Sequence, residues 1–364
     1  MKIYRNILKI AILLVLVYGT GCNSKAYLSS SGKAKNVILI IGDGMGLSHL
    51  YGAMTVSSRD LNVGRVQDIG IIKTNSYDNY ITDSAASGTA MATGKKTRNG
   101  MIGLSPDSIR LMNLTEIAHR HDISAGVVST SAVTHATPAS FVSHNINRNY
   151  YEEIALDFLK TQPDVFIGGG KDDFSKRKDG RDLIQELKDE GYDVVLSVEE
   201  LLEVNGSEKL AGLLADGHMP AISEGRGDML SYAALKAIET LQQNPKGFFL
   251  MIEGSQIDWA AHDHNTKYII EETLDLDRTL GVILDYAENV GETLVLMTAD
   301  HETGGMTLIG GDIRKNSVSA NYSVGGHTGS PVPIYAFGPQ SDEFRGIYDN
   351  TELFKKMKNI LTQR

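Results

Sequence analysis

The stretch Val37-Ile38-Leu39-Ile40-Ile41-Gly42-Asp43-Gly44-Met45-Gly46 begins with an unbroken aliphatic run and then becomes polar and glycine-rich. A short continuous apolar run predicts a strand buried on both faces, as in a parallel sheet, rather than an alternating strand with one wet face. Runs of the same kind recur at 69–73, 125–129, 165–168, 194–196, 248–252, 293–297 and 333–337. Segments of helical period lie between them, at 114–121, 150–160, 182–190, 229–243 and 268–289. Strands alternating with crossover helices predict an α/β fold: three layers, doubly wound, with a mostly parallel central sheet flanked by helices on both faces. The glycine-rich stretch 304–329 reads as an irregular loop near a site. No internal repeat or low-complexity tract interrupts the pattern.

In such sheets ligands gather beyond the carboxyl ends of the strands, where loops present polar groups without breaching the core. Asp43 follows the first run, Glu253 follows 248–252, and Asp300 and His301 follow 293–297. One carboxylate at a strand end is ordinarily a helix cap or turn former, whereas three such ends together suggest a site. Asp258 and His262, four residues apart, would project from one face of a helix as half of a zinc site, or equally as a surface ion pair. In Thr82-Asp83-Ser84-Ala85-Ala86-Ser87-Gly88, small residues surround a serine that opens an expected helix over 84–93. Ser84 is there either a nucleophile or a helix cap. No Gly-x-Ser-x-Gly elbow accompanies it, so a metal ion is the available activator.

A formal charge of −10 over 364 residues argues against nucleic acid as a specific partner, so a bound phosphate would need metal ions or a placed arginine. Lys2, Arg5 and Lys9 precede an apolar run over 10–17 that is too short to span a bilayer, which is the pattern of a secretory signal. Residues 1–22 are read as that signal, ending at Cys22, the only cysteine, as in a lipoprotein signal whose cysteine carries the lipid. Residues 23–34 read as a tether and 35–364 as a single catalytic domain. The expected location is the periplasm or cell envelope, with a lipid anchor through Cys22.

The chain resembles the alkaline phosphatases over most of its expected mature length, from about Asn36 to Pro339, in segments that keep the family's order. These are the Val37–Ser48 segment, the Thr82–Thr97 segment, His135-Ala136-Thr137-Pro138-Ala139 with Arg148, Glu253 through His262, Thr298-Ala299-Asp300-His301, and His327-Thr328-Gly329. The resemblance implies one zinc ion held by Asp258, His262 and His327, and a second held by Asp43, Asp300 and His301 with Ser84 beside it. It implies a magnesium ion held by Asp43, Thr137 and Glu253. Histidine-rich sets suit zinc and all-oxygen sets suit magnesium. It further implies hydrolysis of small phosphate monoesters by two in-line displacements through a phosphoserine on Ser84, with Arg148 gripping two phosphate oxygens through its planar fork. The alternative for Arg148 is an ion pair with Glu152, one turn on. His135 and Trp259 stand where family members vary and are read as neighbours of the site rather than as ligands. His144 and His264 are read as structural. The short interval around 302–326 implies a reduced crown, so a homodimer, the family's usual assembly, stands beside a monomer. The rival readings are a phosphodiesterase on the same scaffold and a non-catalytic envelope binding lipoprotein.

Overall fold

A computed structural model of the chain describes residues 32–66 and 68–363. The expected signal peptide, Cys22 and all but the last three residues of the tether lie outside the described residues. The first strands in chain order are β1 (Asn36–Gly42), β2 (Asp68–Lys73), β3 (Ser124–Ala132), β4 (Val165–Gly169), β5 (Asp193–Val195), β6 (Leu210–Leu213), β7 (Phe248–Gly254) and β8 (Thr293–Thr298). β9 (Glu302–Thr303), β10 (Met306–Asp312), β11 (Ser317–Tyr322) and β12 (His327–Thr328) follow outside the main sheet, and β13 (Val332–Phe337) and β14 (Gly346–Asp349) return to it.

Among the described residues the main sheet has ten strands in the order β14-β2-β13-β8-β1-β7-β3-β4-β6-β5. Every neighbouring pair is parallel except those made by β13, which runs against β2 and β8. β1, β7 and β8 are buried along their whole length, as their continuous apolar runs predict. One layer of helices includes Leu47–Val56, Met229–Leu241 and the long Thr266–Val290, and a second includes Ser84–Thr93, Leu114–Arg120 and Asn350–Thr362. The expected doubly wound α/β architecture is what forms.

Two local expectations differ. The stretch 304–329 is not irregular throughout: β10 and β11 pair as an antiparallel hairpin with a register shift at Leu308/Gly310. Its side chains are mostly exposed or half-exposed, so pairing there leaves little apolar pattern in the sequence. β2, expected as a fully buried strand, alternates, with Ile69 and Ile71 facing outward near the sheet edge. No helix among the described residues is long and apolar enough to cross a membrane.

The strand ends are shaped so that loops meet. The Thr266–Val290 helix brings Leu276 against the ends of β1 and β7, where a Cβ on Gly42 or Gly254 would lie 3.0 Å from its methyl groups. Gly44 has φ +70°, and a Cβ there would lie 2.9 Å from the Asp258 Cα. Glycine at this turn therefore permits both the left-handed backbone and the approach of two acidic segments.

Candidate metal centre

The three strand ends expected to carry chemistry lie side by side. β1 sits between β7 and β8, and Ile41 is in register with Glu253 on one side and Thr298 on the other. Asp43, Glu253 and Asp300 are fully buried and Asp258 nearly so. Four carboxylates withdrawn from water into one place require positive charge or protons.

Their ligand atoms fall into three sets, each within 4.8 Å: Asp258, His262 and His327; Asp43, Asp300 and His301; and Asp43, Glu253 and His135. In the first, Asp258 lies 3.4 Å from His262 Nε2 and 3.6 Å from His327 Nε2. In the second, His301 Nε2 lies 3.2 Å from Asp300 and 3.5 Å from Asp43. His262 donates Nδ1–H to the Gly325 carbonyl and His327 donates Nδ1–H to that of Thr82, each at 2.8 Å. Those bonds engage Nδ1 and turn Nε2 towards the carboxylates, the arrangement by which a metal-binding histidine is held. Thr303 bonds Asp258 and lies 3.2 Å from His301 Nδ1, bracing two sets at once.

Both Asp43 oxygens, Asp300 Oδ2, Glu253 Oε1 and Thr137 Oγ1 are buried without a hydrogen-bond partner. The remaining oxygens are engaged: Asp300 Oδ1 accepts from the Gly44 and His301 amides, and Glu253 Oε2 from Ser131 and Ser255. Burial, reinforced by Asp300, Asp258 and Glu253, holds the Asp43 carboxyl well above the usual range, with Arg148 pulling the other way. Burial pushes Glu253 up to about 7 against the hydrogen bond from Ser255. Asp258 is also buried, yet its bond with His262 and the nearness of His301 and His327 bring it below the usual range. The same bond raises His262 to about 9. The donor set thus fits divalent cations: partnerless oxygens converge with imidazoles whose outer nitrogens are already anchored.

His135, expected as a neighbour of the site, lies within ligating reach of the third set. Its ring nitrogen belongs with Asp43 and Glu253. Burial, with Arg148 and His218 beside it, lowers its pKa to about 3, so the imidazole is neutral, which is its ligating form. Trp259 stands edge-on to His135 at 6.0 Å between ring centroids.

Ser84 is the first residue of the Ser84–Thr93 helix but does not cap it. Asp83 is the N-cap, accepting the Ala86 amide at 2.9 Å. The helix is built of small residues and is buried on every side, and Ser84 itself is 2% exposed. Its Oγ lies 3.3 Å from His301 Nε2, at a helix N-terminus where phosphate is favoured. Arg148 does not pair with Glu152: its Nη1 lies 3.1 Å from Asp83, and Nη2 lies 3.4 Å from His135 Nε2. His144 and His264 bond main-chain carbonyls outside the three sets, as structural histidines do. Sequence reasoning missed Asp83 as the arginine's partner, Thr303 as the brace and His218 beside His135.

The alkaline phosphatase family model matches residues 34–324 and 312–363. Alkaline phosphatase 4 of Bacillus subtilis is 32% identical, the match covering 98% of this chain and 99% of that one. The crystal structure of alkaline phosphatase from the Antarctic bacterium TAB5 superposes with a TM-score of 0.87 at 41% identity, covering 92% of this chain and all of the other. A histidine-to-aspartate variant of the TAB5 enzyme, with magnesium bound in its M3 site, superposes with a TM-score of 0.85 at 40% identity, covering 90% of this chain and 98% of that one.

Proposed function

Because the chain belongs to the alkaline phosphatase family, we propose that it hydrolyses small phosphate monoesters with Ser84 as the nucleophile. The observation that carries this reading is Ser84 itself: a buried serine, relieved of capping by Asp83, whose Oγ lies beside His301 and the carboxylate sets.

Asp258, His262 and His327 would hold one zinc ion and Asp43, Asp300 and His301 a second, while Asp43, Glu253 and Thr137, joined by His135, would hold magnesium. The magnesium in the M3 site of the TAB5 variant, which carries aspartate in place of a histidine, supports a third ion on the oxygen ligands Asp43, Glu253 and Thr137. Bound there, the ions lower the pKa of a hydroxyl or water and offset charge on the attacking and leaving oxygens. Arg148, positioned by Asp83, grips two phosphate oxygens and holds phosphorus in line with Ser84 Oγ. Ser84 Oγ attacks phosphorus, the bond to the ester oxygen breaks, and the alcohol leaves with a proton. Water then attacks the phosphoserine, releasing inorganic phosphate and returning the hydroxyl of Ser84.

Ser84→Ala is expected to cut turnover of p-nitrophenyl phosphate by roughly a thousandfold or more while metal content is unchanged. Undiminished turnover would remove the serine mechanism, and a preference for bis(p-nitrophenyl) phosphate would replace the monoesterase with a diesterase.

The reading extends to the whole chain. Residues 35–364 act as one catalytic domain with a reduced crown, exported by the first 22 residues and held at the cell envelope by lipid on Cys22. Cys22→Ser should move the protein from the membrane fraction to the soluble one, and an unchanged distribution would remove the anchor. The apolar groove between the Leu47–Val56 helix and the β10–β11 hairpin, where Tyr51, Met54 and Ile313 are exposed, supports a homodimer. Light scattering should return twice the mass of one chain, and a monomer's mass would end that reading.

A further inference from the structure

His218 belongs to none of the metal-binding sets, and no motif marks it in the sequence. It lies in the loop after β6, at the same end of the sheet as the site, and it is exposed yet held from several directions. The Ala132 amide donates to its Nδ1 at 3.0 Å, so the neutral ring carries its proton on Nε2. Its ring meets Trp259 at 4.7 Å and His135 at 5.5 Å, edge-on in both cases. The backbone on either side is pinned too. The Gly217 carbonyl accepts from the Gly170 amide at 2.6 Å, the Met219 carbonyl from Gln256 at 2.8 Å, and the Pro220 carbonyl from Arg226 at 3.1 Å. A Cβ on Gly169 would come within 2.0 Å of the Gly217 carbonyl oxygen, so this loop packs on glycine by necessity.

The ring is only partly covered, so it gains less from burial than a core ring would, and holding it in place suits a ligand that would otherwise have to order it. The position fits one. His135, which His218 touches, lies 3.4 Å from the Arg148 guanidinium, and Trp259 directly follows Asp258 on its helix. We propose that His218 and Trp259 form a rigid aromatic wall that receives the alcohol portion of the ester, so that this enzyme favours phosphomonoesters of aryl or heteroaromatic alcohols over those of small alkyl alcohols. The inference rests on the phosphomonoesterase reading above.

Phenyl phosphate and glycerol 2-phosphate, compared in the metal-loaded wild type, His218→Ala and His218→Asn, test it. Asparagine can still accept the Ala132 amide but carries no ring. The ratio of kcat/KM for phenyl phosphate to that for glycerol 2-phosphate should fall about tenfold in both variants, with inhibition by inorganic phosphate unchanged. An unchanged ratio would overturn the proposal, as would recovery of the ratio in His218→Asn or an equal loss for both esters and for phosphate. Binding of phenylphosphonate against methylphosphonate needs no turnover. A selective loss of the phenyl ligand in the variants supports the wall even if the wild type hydrolyses neither ester, a result that would instead remove the proposed activity. Equal losses of the two phosphonates would sink the wall alone.

Discussion

Two groups of buried acids in this molecule are handled in opposite ways. On the Thr266–Val290 helix, Glu272 and Asp275 are as deeply buried as the acids of the metal centre, but each of their four oxygens accepts a hydrogen bond. Arg226 reaches both residues, Arg278 donates to Asp275 at 2.9 Å, and the Ile222 amide donates to Glu272 at 2.9 Å. At the ends of β1, β7 and β8 the oxygens of Asp43 and one each of Glu253 and Asp300 have no such partner. Depth of burial is the same in both groups, so burial alone does not identify a site. The difference is closure: one group completes its charge from within the chain, and the other presents lone pairs that only a cation of the right reach can satisfy.

That difference can be broken from either side. Stripping the metal centre with a chelator should have the largest effect, because several kcal/mol of charge stabilisation correspond to a loss of activity on the order of 10³-fold or more. The same treatment should lower the melting temperature, since a cation present at a thousand times its Kd contributes about 4 kcal/mol to the folded state. Adding back zinc and magnesium should restore both. A protein shown metal-free by elemental analysis that kept its activity and melting point would contradict the reading of the open oxygens. The closed group should respond only to mutation. Arg226→Met strands two buried carboxylates and is expected to cost about 3–5 kcal/mol in denaturant unfolding, with metal content unchanged. Adding Glu272→Leu and Asp275→Leu to it should recover most of that loss. Loss of metal on Arg226→Met alone would mean that the two groups are coupled and that the contrast is false.

How much of this was legible in the sequence follows from the same distinction between local and distant causes. The central strands could be read because β1, β7 and β8 are buried on both faces and so carry unbroken apolar runs. β6 could not, because its four residues Leu-Ala-Gly-Leu owe their burial to lying between β4 and β5. The β10–β11 hairpin was hidden because its ladder is held by backbone bonds on a mostly wet surface. At the site, residues lying on strand ends or on one helical turn, such as Asp43, Glu253, Asp258 and His262, declared themselves by position. Thr303 and His218 act through groups on other segments, and their neighbours in sequence give no sign of it. His135 reads from the sequence only as a neighbour of the site, because nothing local shows that burial keeps its ring neutral beside two acids.

Asp83 sharpens the contrast at its smallest scale, because both of its oxygens are closed, one onto the helix it caps and the other onto the arginine of the site. Its Oδ1 accepts the Ala86 amide, which caps the Ser84–Thr93 helix, while its Oδ2 accepts the Gly100 amide and faces Arg148. The two jobs can be separated by substitution. Asparagine caps a helix about as well as aspartate, whereas alanine costs about 1 kcal/mol at such a position. Asp83→Ala should therefore lower unfolding stability by about that amount, and Asp83→Asn should lower it by much less. Both remove the charge that holds the guanidinium, so both should weaken inhibition by inorganic phosphate by about the same few-fold factor, in keeping with the modest worth of a partly exposed ion pair. If only the alanine variant weakened phosphate binding, Asp83 would act on Arg148 solely through the helix it caps. If neither did, Arg148 would be positioned by His135 and the Gly100 carbonyl that accepts its own amide.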